Sequence, residues 1–330
     1  MLMSEKLYAP RYTITKADLD SRRIEGVCGM AEPAARKFEP MLYVQRFVDR
    51  QHLYLAASVT AHFTAELAGD GPEDYETKTG TAFVVEKQGS LFFVTNRHVF
   101  DYNYKPPHGV IPSAKLRGVE IRGYAQPSDL SQPAPPWTWT CTQETSGIAF
   151  HPDESTDLAV VSAGRGSFNP GDPGPNCLGM EWLASATEID GLMPGEEIFL
   201  AGYPGMAGPI ERPLIVRGII ASDPRHPATF GKAHLGNAVL CHSFSWSGMS
   251  GAPVLGISQS IGKVKLIGVN AGHVGGSGIT GGVISHFVRS SALTELMGNF
   301  VTLPPLLGGG WRAETPEEIA ESLRFQNPSQ

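Results

Sequence analysis

Short apolar runs separated by turn residues recur through the middle of this 330-residue chain. The runs at 80–85 and 91–95 are rich in β-branched and aromatic residues, and Glu86-Lys87-Gln88-Gly89-Ser90 lies between them. This combination predicts a β-hairpin. Comparable runs continue to Phe287, and no helical stripe of similar strength interrupts them. The pattern therefore predicts an all-β fold.

The C-terminal region has a different pattern. Gly308-Gly309-Gly310 predicts a flexible break, and Thr315-Pro316-Glu317-Glu318 has the features of a capping box that begins a short helix. We favour a helix docked on the β domain over a partner-binding or autoinhibitory tail. The predicted organisation is an N-terminal extension over 1–50, a β domain over 51–300, and a C-terminal linker with a short helix over 301–330.

Composition limits the classes of function. Gly (38 residues) and Pro (26 residues) are abundant beside 18% charged residues, which is typical of a chain rich in loops and strands. The formal net charge of −7, without a cluster of Lys and Arg, offers no basic surface for nucleic acid. No segment reaches the ~18 apolar residues of a membrane span. We expect neither nucleic acid nor membrane as a partner.

The four cysteines and the start of the chain bear on the compartment. The residues after Met1 lack the apolar run of a signal peptide, so we predict a cytoplasmic protein with reduced thiols. A disulfide between Cys177 and Cys241 remains an open alternative. The spacing of the histidines matches no His-Glu-x-x-His or Cys/His zinc pattern, so we expect no metal and no cofactor.

The segment Ser247-Gly248-Met249-Ser250-Gly251 lies between two apolar runs and carries the most informative chemistry. A serine on a tight turn can present its hydroxyl as a nucleophile. The glycines permit backbone conformations that a side chain would forbid, so the N–H groups of Gly248 and Ser250 can point to one place, where an oxyanion would form. An ordinary Gly/Ser turn is the alternative.

A serine nucleophile needs a base and an acid that orients the base. His98 follows the predicted strand that ends near Thr95, and Asp157 directly precedes the apolar run 158–161. Asp101 is too close to His98 in sequence to be held on a separate element, and we expect it to be a surface or capping group. Asp153 lies in a turn-rich segment, so Asp157 is the preferred acid.

Three segments resemble the catalytic blocks of trypsin-like (chymotrypsin-fold) serine peptidases, and most closely the bacterial branch that includes the HtrA/Deg protease domains. These segments are Thr95-Asn96-Arg97-His98-Val99, Asp157-Leu158-Ala159-Val160 and Gly248-Met249-Ser250-Gly251. The resemblance covers roughly residues 75–290 and leaves too little chain for a PDZ domain. It implies two six-stranded antiparallel Greek-key β-barrels packed together, with short helical extensions at both termini.

The order of the candidate residues separates this fold from others with the same triad. An α/β-hydrolase would need an acid and then a histidine after Ser250, but no Asp or Glu lies between Ser250 and His286. A subtilisin-type order would need the acid before His98. The order His98, Asp157, Ser250 agrees with the double barrel and predicts a serine endopeptidase that acts through an acyl-enzyme.

Met249 occupies the position where pancreatic-type proteases have an aspartate that binds the new N-terminus after zymogen cleavage. A methionine cannot form that ion pair, so we expect this chain not to be activated by N-terminal insertion. Order in the oxyanion turn must come from the fold, the substrate or a regulatory protein partner.

The resemblance also places the primary specificity pocket. Phe244, six residues before Ser250, would lie at its base, and Val269-Asn270-Ala271-Gly272-His273 would form a wall that pairs with an extended protein or peptide substrate. Without a carboxylate at 244, we expect a small or apolar P1 residue rather than a basic one. His273 leaves an acidic P1 open. The alternative function is a catalytically silent scaffold that binds peptides or a partner.

Overall fold

The structure is a computed structural model, and its described residues all belong to the second of two units into which the chain divides, 1–43 and 44–330. The predicted N-terminal extension up to residue 49 and the predicted helix at Thr315 lie outside the described residues. The described ranges are 50–65, 74–104, 114–125, 132–142, 147–169, 174–205, 212–226, 228–230, 233–257, 264–273, 281–298, 300–303 and 310–313.

A nine-stranded sheet forms the first half of the β domain. Its order is β6-β7-β3-β2-β1-β4-β5-β8, and β9 pairs in parallel with β2. The strands are β1 Ala56–Ala65, β2 Asp74–Lys87, β3 Ser90–Thr95, β4 Lys115–Tyr124, β5 Pro136–Thr142, β6 Ile148–Phe150, β7 Ala159–Ser162, β8 Ser167–Asn169 and β9 Cys177–Gly179.

The predicted hairpin is confirmed as β2 and β3, in which Lys87 pairs with Ser90. Gln88 and Gly89 form its two-residue turn with φ values of 51° and 77°. Both values lie in the left-handed region that the favoured hairpin turns require.

The sheet curls and closes without a full ring of strand pairs. Within the described ranges no ladder joins β6 to β8, the two ends of the sheet. The chain crosses that gap through the 3₁₀ turn Ala163–Arg165, which directly connects β7 to β8. Trp139 Nε1 on β5 donates to the Ala163 carbonyl at 2.9 Å. The turn after β7 and the Trp139 side chain thus link β7, near one end of the sheet, to β5 and β8 at the other.

The second half is a closed six-stranded barrel in the order β10-β11-β14-β17-β16-β15. The chymotrypsin-like two-barrel fold predicted from the sequence is therefore confirmed. The strands of this barrel are β10 Glu197–Gly202, β11 Leu214–Ile220, β14 Ala238–Trp246, β15 Pro253–Ile257, β16 Val264–His273 and β17 Gly281–Arg289, and two further short strands, β12 Ala228–Phe230 and β13 Ala233–Leu235, pair with each other.

Helices are short and few in the described part of the chain, and none of them is long and apolar enough to cross a membrane. Strands β18 Phe300–Leu303 and β19 Gly310–Ala313 pair within the segment that the sequence assigned to a linker. The helices are α1 Arg50–Leu53, α2 Arg97–Phe100, α3 Ala186–Asp190 and α4 Ser290–Gly298, with a second 3₁₀ turn at Met180–Trp182.

The middle of β2 is continuously apolar over residues 82–85 because both of its faces are buried. Ala82 and Val84 face the interior of the first sheet, in a cluster with Phe93 and Trp139. Phe83 and Val85 belong to another cluster, which includes Leu255, Val269 and other residues of the second barrel. Because this part of β2 is covered on both faces, its residues do not alternate between apolar and polar. The same packing places the end of β3 against the second barrel.

Candidate active site

His98 and Asp157 form a hydrogen-bonded pair at the edge of the first sheet. His98 lies in α2, immediately after β3, and its Nδ1 is 2.7 Å from Asp157 Oδ2. The other carboxylate oxygen of Asp157 accepts the His98 backbone N–H at 3.0 Å. The His98 side chain is 29% exposed and the Asp157 side chain 7% exposed. One edge of the imidazole is therefore oriented by a buried carboxylate while the ring stays accessible.

The position of Asp157 is set by the strand that follows it and by Asn96. The Asn96 side chain, fully buried, donates from Nδ2 to the Asp157 carbonyl at 2.7 Å. This residue lies in the His98 block, so the turn that carries the histidine also holds the acid. Nothing in the sequence pattern around Asn96 indicated this contact.

The two competing acids are engaged elsewhere. Asp101 accepts from Arg97 Nε at 3.0 Å, which agrees with the predicted surface or capping role. Asp153 accepts from the Ser155 backbone N–H and hydroxyl and from the Thr156 hydroxyl, and the hydrogen bond from Ser155 N–H lowers the pKa of its carboxyl. Neither carboxylate bonds to the His98 ring.

The turn that carries Ser250 needs both of its glycines. Gly248 and Gly251 have φ values of +93° and +88°, a region that L side chains rarely adopt. A Cβ on Gly248 would collide with the Tyr203 carbonyl, and a Cβ on Gly251 with the Thr81 carbonyl. The turn is therefore both left-handed and pressed against neighbouring backbone.

The carbonyl groups of residues 247–250 all accept hydrogen bonds from residues outside the turn. The bonds are Gly205 N–H to Ser247 O at 2.7 Å, Thr81 Oγ1 to Gly248 O at 2.7 Å, Asn270 Nδ2 to Met249 O at 2.8 Å and Thr81 N–H to Ser250 O at 2.7 Å. Because a peptide carbonyl and the N–H that follows it point in opposite directions, these bonds also set the directions of the N–H groups.

The N–H groups of this turn differ in whether they have an acceptor in the described part of the chain. Met249 N–H donates to the Trp246 carbonyl and Gly251 N–H to the Asn270 carbonyl. Among the described residues, the N–H groups of Gly248 and Ser250 donate to no protein atom. This pair is the one that the sequence predicted for an oxyanion hole, and buried N–H groups are rarely left unpaired without a reason.

Ser250 lies beside the histidine segment. Its carbonyl oxygen and Val99 Cγ2 are each 3.0 Å from the point that a Cβ on Gly80 would occupy. Within the described residues, no hydrogen bond joins the Ser250 hydroxyl to the His98 ring. Such bonds are often long before substrate binds.

Met249 points into the second barrel. It is fully buried and packs in the barrel core with residues that include Ala252, Val254 and Phe287. This apolar setting has no place for the ion pair of a zymogen-type aspartate. The Met249 side chain thus attaches the turn to the core of the second barrel.

The residues predicted to bind substrate lie around the same turn. The half-buried Phe244, on β14, has its ring against that of Trp246. Asn270 is fully buried, and its side chain donates to Met249 O and to Ser245 Oγ. The described contacts of Asn270 are thus with the nucleophile turn.

The other three residues predicted to bind substrate, Ala271, Gly272 and His273, lie at the end of β16. Gly272 and His273 pair with β17, while the ladder with β15 ends at Val269. His273 and Gly272 are partly exposed, and Ala271 is buried. In the described chain, no ladder occupies the second edge of β16 at Ala271 and Gly272. Their roles in substrate binding stay predictions.

A cavity of about 460 Å³ opens on the first-sheet side of Gly248. Its walls come from the outer face of β1, β2 and β4 and from the segment after β10. The lining residues that matter here are Thr60, Gly80, Arg122, Tyr203 and Gly248. The oxyanion turn therefore has open space on its first-sheet side.

The described cysteines are Cys141, Cys177 and Cys241, and all three are free. The alternative of a Cys177–Cys241 disulfide is therefore not realised in this structure. Burial raises the pKa of the Cys141 thiol to about 11 and also raises that of Cys241. These thiols are thus poor nucleophiles at neutral pH.

Thr81, like Asn96, is a residue of the site that sequence reasoning missed. It lies within the run at 80–85 and makes two of the four carbonyl contacts described above. The only signal in the sequence is a hydroxyl residue between Gly80 and Ala82 at the start of an otherwise apolar strand.

Comparisons with known proteins identify the family of this chain. The family model of the trypsin-like peptidase domain matches residues 80–268. A search of curated protein sequences gives no significant match. One similar solved structure is that of Deg5, with 17% identity, a TM-score of 0.42, and coverage of 76% of this chain and 90% of that chain. Another is the thermostable serine protease AL20 from an extremophilic microorganism, with 12% identity, a TM-score of 0.42, and coverage of 74% and 95%. The family match spans more than half of the chain, and this protein belongs to the trypsin-like peptidase domain family.

Proposed function

We propose that this peptidase is a serine endopeptidase that uses Ser250 as nucleophile, His98 as general base and Asp157 as the group that orients His98. The observation that carries the proposal is the turn 247–250, where the N–H groups of Gly248 and Ser250 have no acceptor among the described residues. The turn lies beside a histidine already bonded to a buried carboxylate. Serine hydrolases of the triad type use both features.

In the proposed reaction, the Ser250 hydroxyl oxygen attacks the carbonyl carbon of the scissile peptide while His98 Nε2 takes its proton. The negative charge that develops on the carbonyl oxygen is stabilised by the N–H groups of Gly248 and Ser250. One such donor is typically worth about 3 kcal/mol in the transition state. His98 then gives the proton to the leaving amine, and the C–N bond breaks to leave an acyl-enzyme.

Water completes the cycle. His98 accepts a proton from water as it attacks the acyl carbon, and the same proton returns to Ser250 when the ester bond breaks. Asp157 stays ionised and stabilises the charged imidazole through the Nδ1–Oδ2 bond of 2.7 Å.

The substrate path follows from the surfaces on either side of the turn. The edge of β16 at Ala271 and Gly272, beyond the end of the ladder with β15, suits an extended peptide that adds as a strand. Phe244 would contact the P1 side chain. The cavity beside Gly248, on the first-sheet side, would receive the leaving-group side of the peptide.

We propose that the activity is controlled through access of substrate or through a regulatory partner, and not through ordering of the oxyanion turn. The four carbonyl bonds and the buried Met249 support an oxyanion turn that is ordered by the fold. An endopeptidase inside a cell needs restraint, so a regulatory protein partner stays a prediction.

We also propose that the protein resides in the cytoplasm, which the three free thiols support. Cell fractionation combined with alkylation of Cys141, Cys177 and Cys241 tests it. Disulfide-linked cysteines in the native protein would contradict it.

The catalytic proposal is tested with a fluorophosphonate probe that labels activated serines. We expect labelling of the wild type, none of Ser250→Ala, and a loss of about 1,000-fold or more in His98→Ala. Ser167→Ala is the matched control, because Ser167 is an exposed serine on β8 and remote from the turn. Folded protein without Ser250-dependent labelling, with or without partners, would favour the peptide-binding scaffold instead.

A further inference from the structure

The start of β2 has an unusual neighbour. The ladder between β2 and β3 ends where Phe83 pairs with Val94, because the chain leaves β3 for α2 two residues later. Beyond that point the vacated edge of β2 is taken by the nucleophile turn. Thr81 N–H donates to the Ser250 carbonyl at 2.7 Å, in place of a β3 carbonyl.

The Thr81 hydroxyl is saturated with partners from the second barrel. It donates to the Gly248 carbonyl at 2.7 Å and accepts the Tyr203 N–H at 3.0 Å. The residue is fully buried, so no water can replace these bonds without a rearrangement. The Thr81 carbonyl is itself held by Thr95 Oγ1 at 2.7 Å.

These contacts reach the oxyanion hole from two sides. One bond holds the peptide after Gly248 directly. The other holds Tyr203, two residues before Gly205, whose N–H holds the Ser247 carbonyl and thus the peptide that contains the Gly248 N–H. A single side chain on the first sheet therefore controls both peptide planes that flank Gly248.

We propose that Thr81 is a positioning residue that orients the oxyanion hole, so that the first sheet sets the geometry of a turn in the second barrel. The proposal rests on the serine peptidase activity argued above. Its effect is on the transition state, because the Gly248 and Ser250 N–H groups meet full negative charge only there. Ground-state binding of substrate does not depend on it.

The test compares Thr81→Val, which keeps the shape but loses the hydroxyl, with Thr81→Ser, which keeps the hydroxyl. We expect Thr81→Val to lower kcat about 10- to 100-fold at nearly unchanged KM, as expected when an oxyanion donor is misoriented rather than removed. Thr81→Ser should stay within about threefold of wild type, since its hydroxyl can make the same bonds. Thr81→Ala serves as the second hydroxyl-free variant if Thr81→Val does not fold.

The readout that separates positioning from simple structural support is the affinity of a peptidyl boronate, which forms a tetrahedral adduct with the serine. Its affinity should fall in parallel with kcat/KM, whereas a structural role would lower only the active fraction found by active-site titration. Ser290→Ala is the control, because Ser290 is another fully buried hydroxyl, donating to the Ala184 carbonyl at 2.8 Å away from the site.

The experiment distinguishes a failure of the role proposed for Thr81 from a failure of the peptidase proposal. An active wild type with a folded Thr81→Val or Thr81→Ala of unchanged kcat and boronate affinity overturns the role of Thr81 alone. So does a Thr81→Ser as impaired as the hydroxyl-free variants. A wild type and Ser290→Ala that both lack Ser250-dependent turnover overturn the peptidase proposal, and with it the oxyanion role of Thr81.

Discussion

The Met249 thioether lies directly over Gly202, with Sδ 2.8 Å from the point that a Cβ on Gly202 would occupy. The residue next to the nucleophile thus fills a space that only a glycine on β10 leaves open. Because Met249 is fully buried, the nucleophile turn is attached to the core of the second barrel by a side chain rather than by an ion pair.

Met249→Ala should destabilise the protein. Removing a fully buried methionine side chain leaves a cavity and costs about 2–5 kcal/mol in the free energy of unfolding. Urea denaturation measures it. Met193→Ala is the control, because Met193 is 62% exposed and should change stability by less than about 0.5 kcal/mol. Equal effects of the two substitutions would mean that Met249 does not anchor the turn.

Shortening the N-terminus should not switch activity on. The turn has its carbonyl partners already, and the apolar surroundings of Met249 offer no partner for a new ammonium group. Truncations at several points before residue 50 can be assayed with the fluorophosphonate probe. Activation that depends on a contact between a new N-terminus and residues 248–250 would show that this expectation is wrong.

Lys78→Met should impair catalysis through the histidine turn. The Lys78 ammonium donates to the carbonyls of His98, Asp101 and Tyr102 at 3.1, 3.3 and 2.9 Å. These bonds hold the end of α2, and we expect their loss to lower kcat about 3- to 10-fold and stability by about 1.5–3 kcal/mol.

The matched control is Lys87→Met on the same strand. The Lys87 ammonium donates to the Met297 carbonyl in α4, so its loss should affect stability without affecting kcat. If both variants lower kcat equally, or neither does, Lys78 has no specific effect on His98.

Glu188 should make stability depend on pH in acid. The Lys265 ammonium and the Ser185 N–H lower the pKa of the Glu188 carboxyl to about 2, from an ordinary value of 4.5. The stabilisation is therefore complete above about pH 4.5 and is lost as the pH falls towards 2. Because the side chain is 31% exposed, we expect Glu188→Gln to cost only about 1–2 kcal/mol at pH 7.

Urea denaturation of Glu188→Gln and wild type at pH 7 and pH 3 checks this sign. The difference between the two proteins should shrink at the lower pH, since Glu188 is then largely protonated in the unfolded chain, whose carboxyl has the ordinary pKa of 4.5. The exposed Glu181→Gln gives the baseline for removing a carboxylate. A difference that grows on acidification would contradict the assignment.

Peptide substrates with a small or apolar P1 residue should be cleaved faster than those with Lys or Arg. The expected base of the pocket, Phe244, carries no carboxylate and lies against Trp246. Replacing a hydrophobic contact with a buried unpaired charge costs enough for a preference of at least about tenfold in kcat/KM. A series of peptide nitroanilides measures it, and faster cleavage after Lys or Arg would contradict it. Preference for Glu would indicate a role for the partly exposed His273.

Local chemistry made much of the fold predictable. The β2–β3 hairpin followed from two apolar runs and a turn with Gly89, and the all-β class from the repetition of such runs. The first barrel was harder, because its short strands β6, β8 and β9 carry only three residues each. Three residues are too few to show a period, so a nine-stranded sheet could not be predicted.

The candidate site likewise contains residues that the sequence predicted and residues that it did not. His98, Asp157 and Ser250 each lie in a recognisable local setting, and their order excluded other folds, so the sequence determined the chemistry that the chain brings to the site. It also determined that both glycines of the turn were needed. Thr81, Asn96 and Asn270 carry no such local signal. Their roles were decided only by the tertiary structure, because each acts through hydrogen bonds to backbone groups distant in the sequence. The Asn96 bond exists only after the first sheet has folded, and the Asn270 bond only after the second barrel has closed. The Thr81 bonds exist only after the sheet and the barrel have packed together.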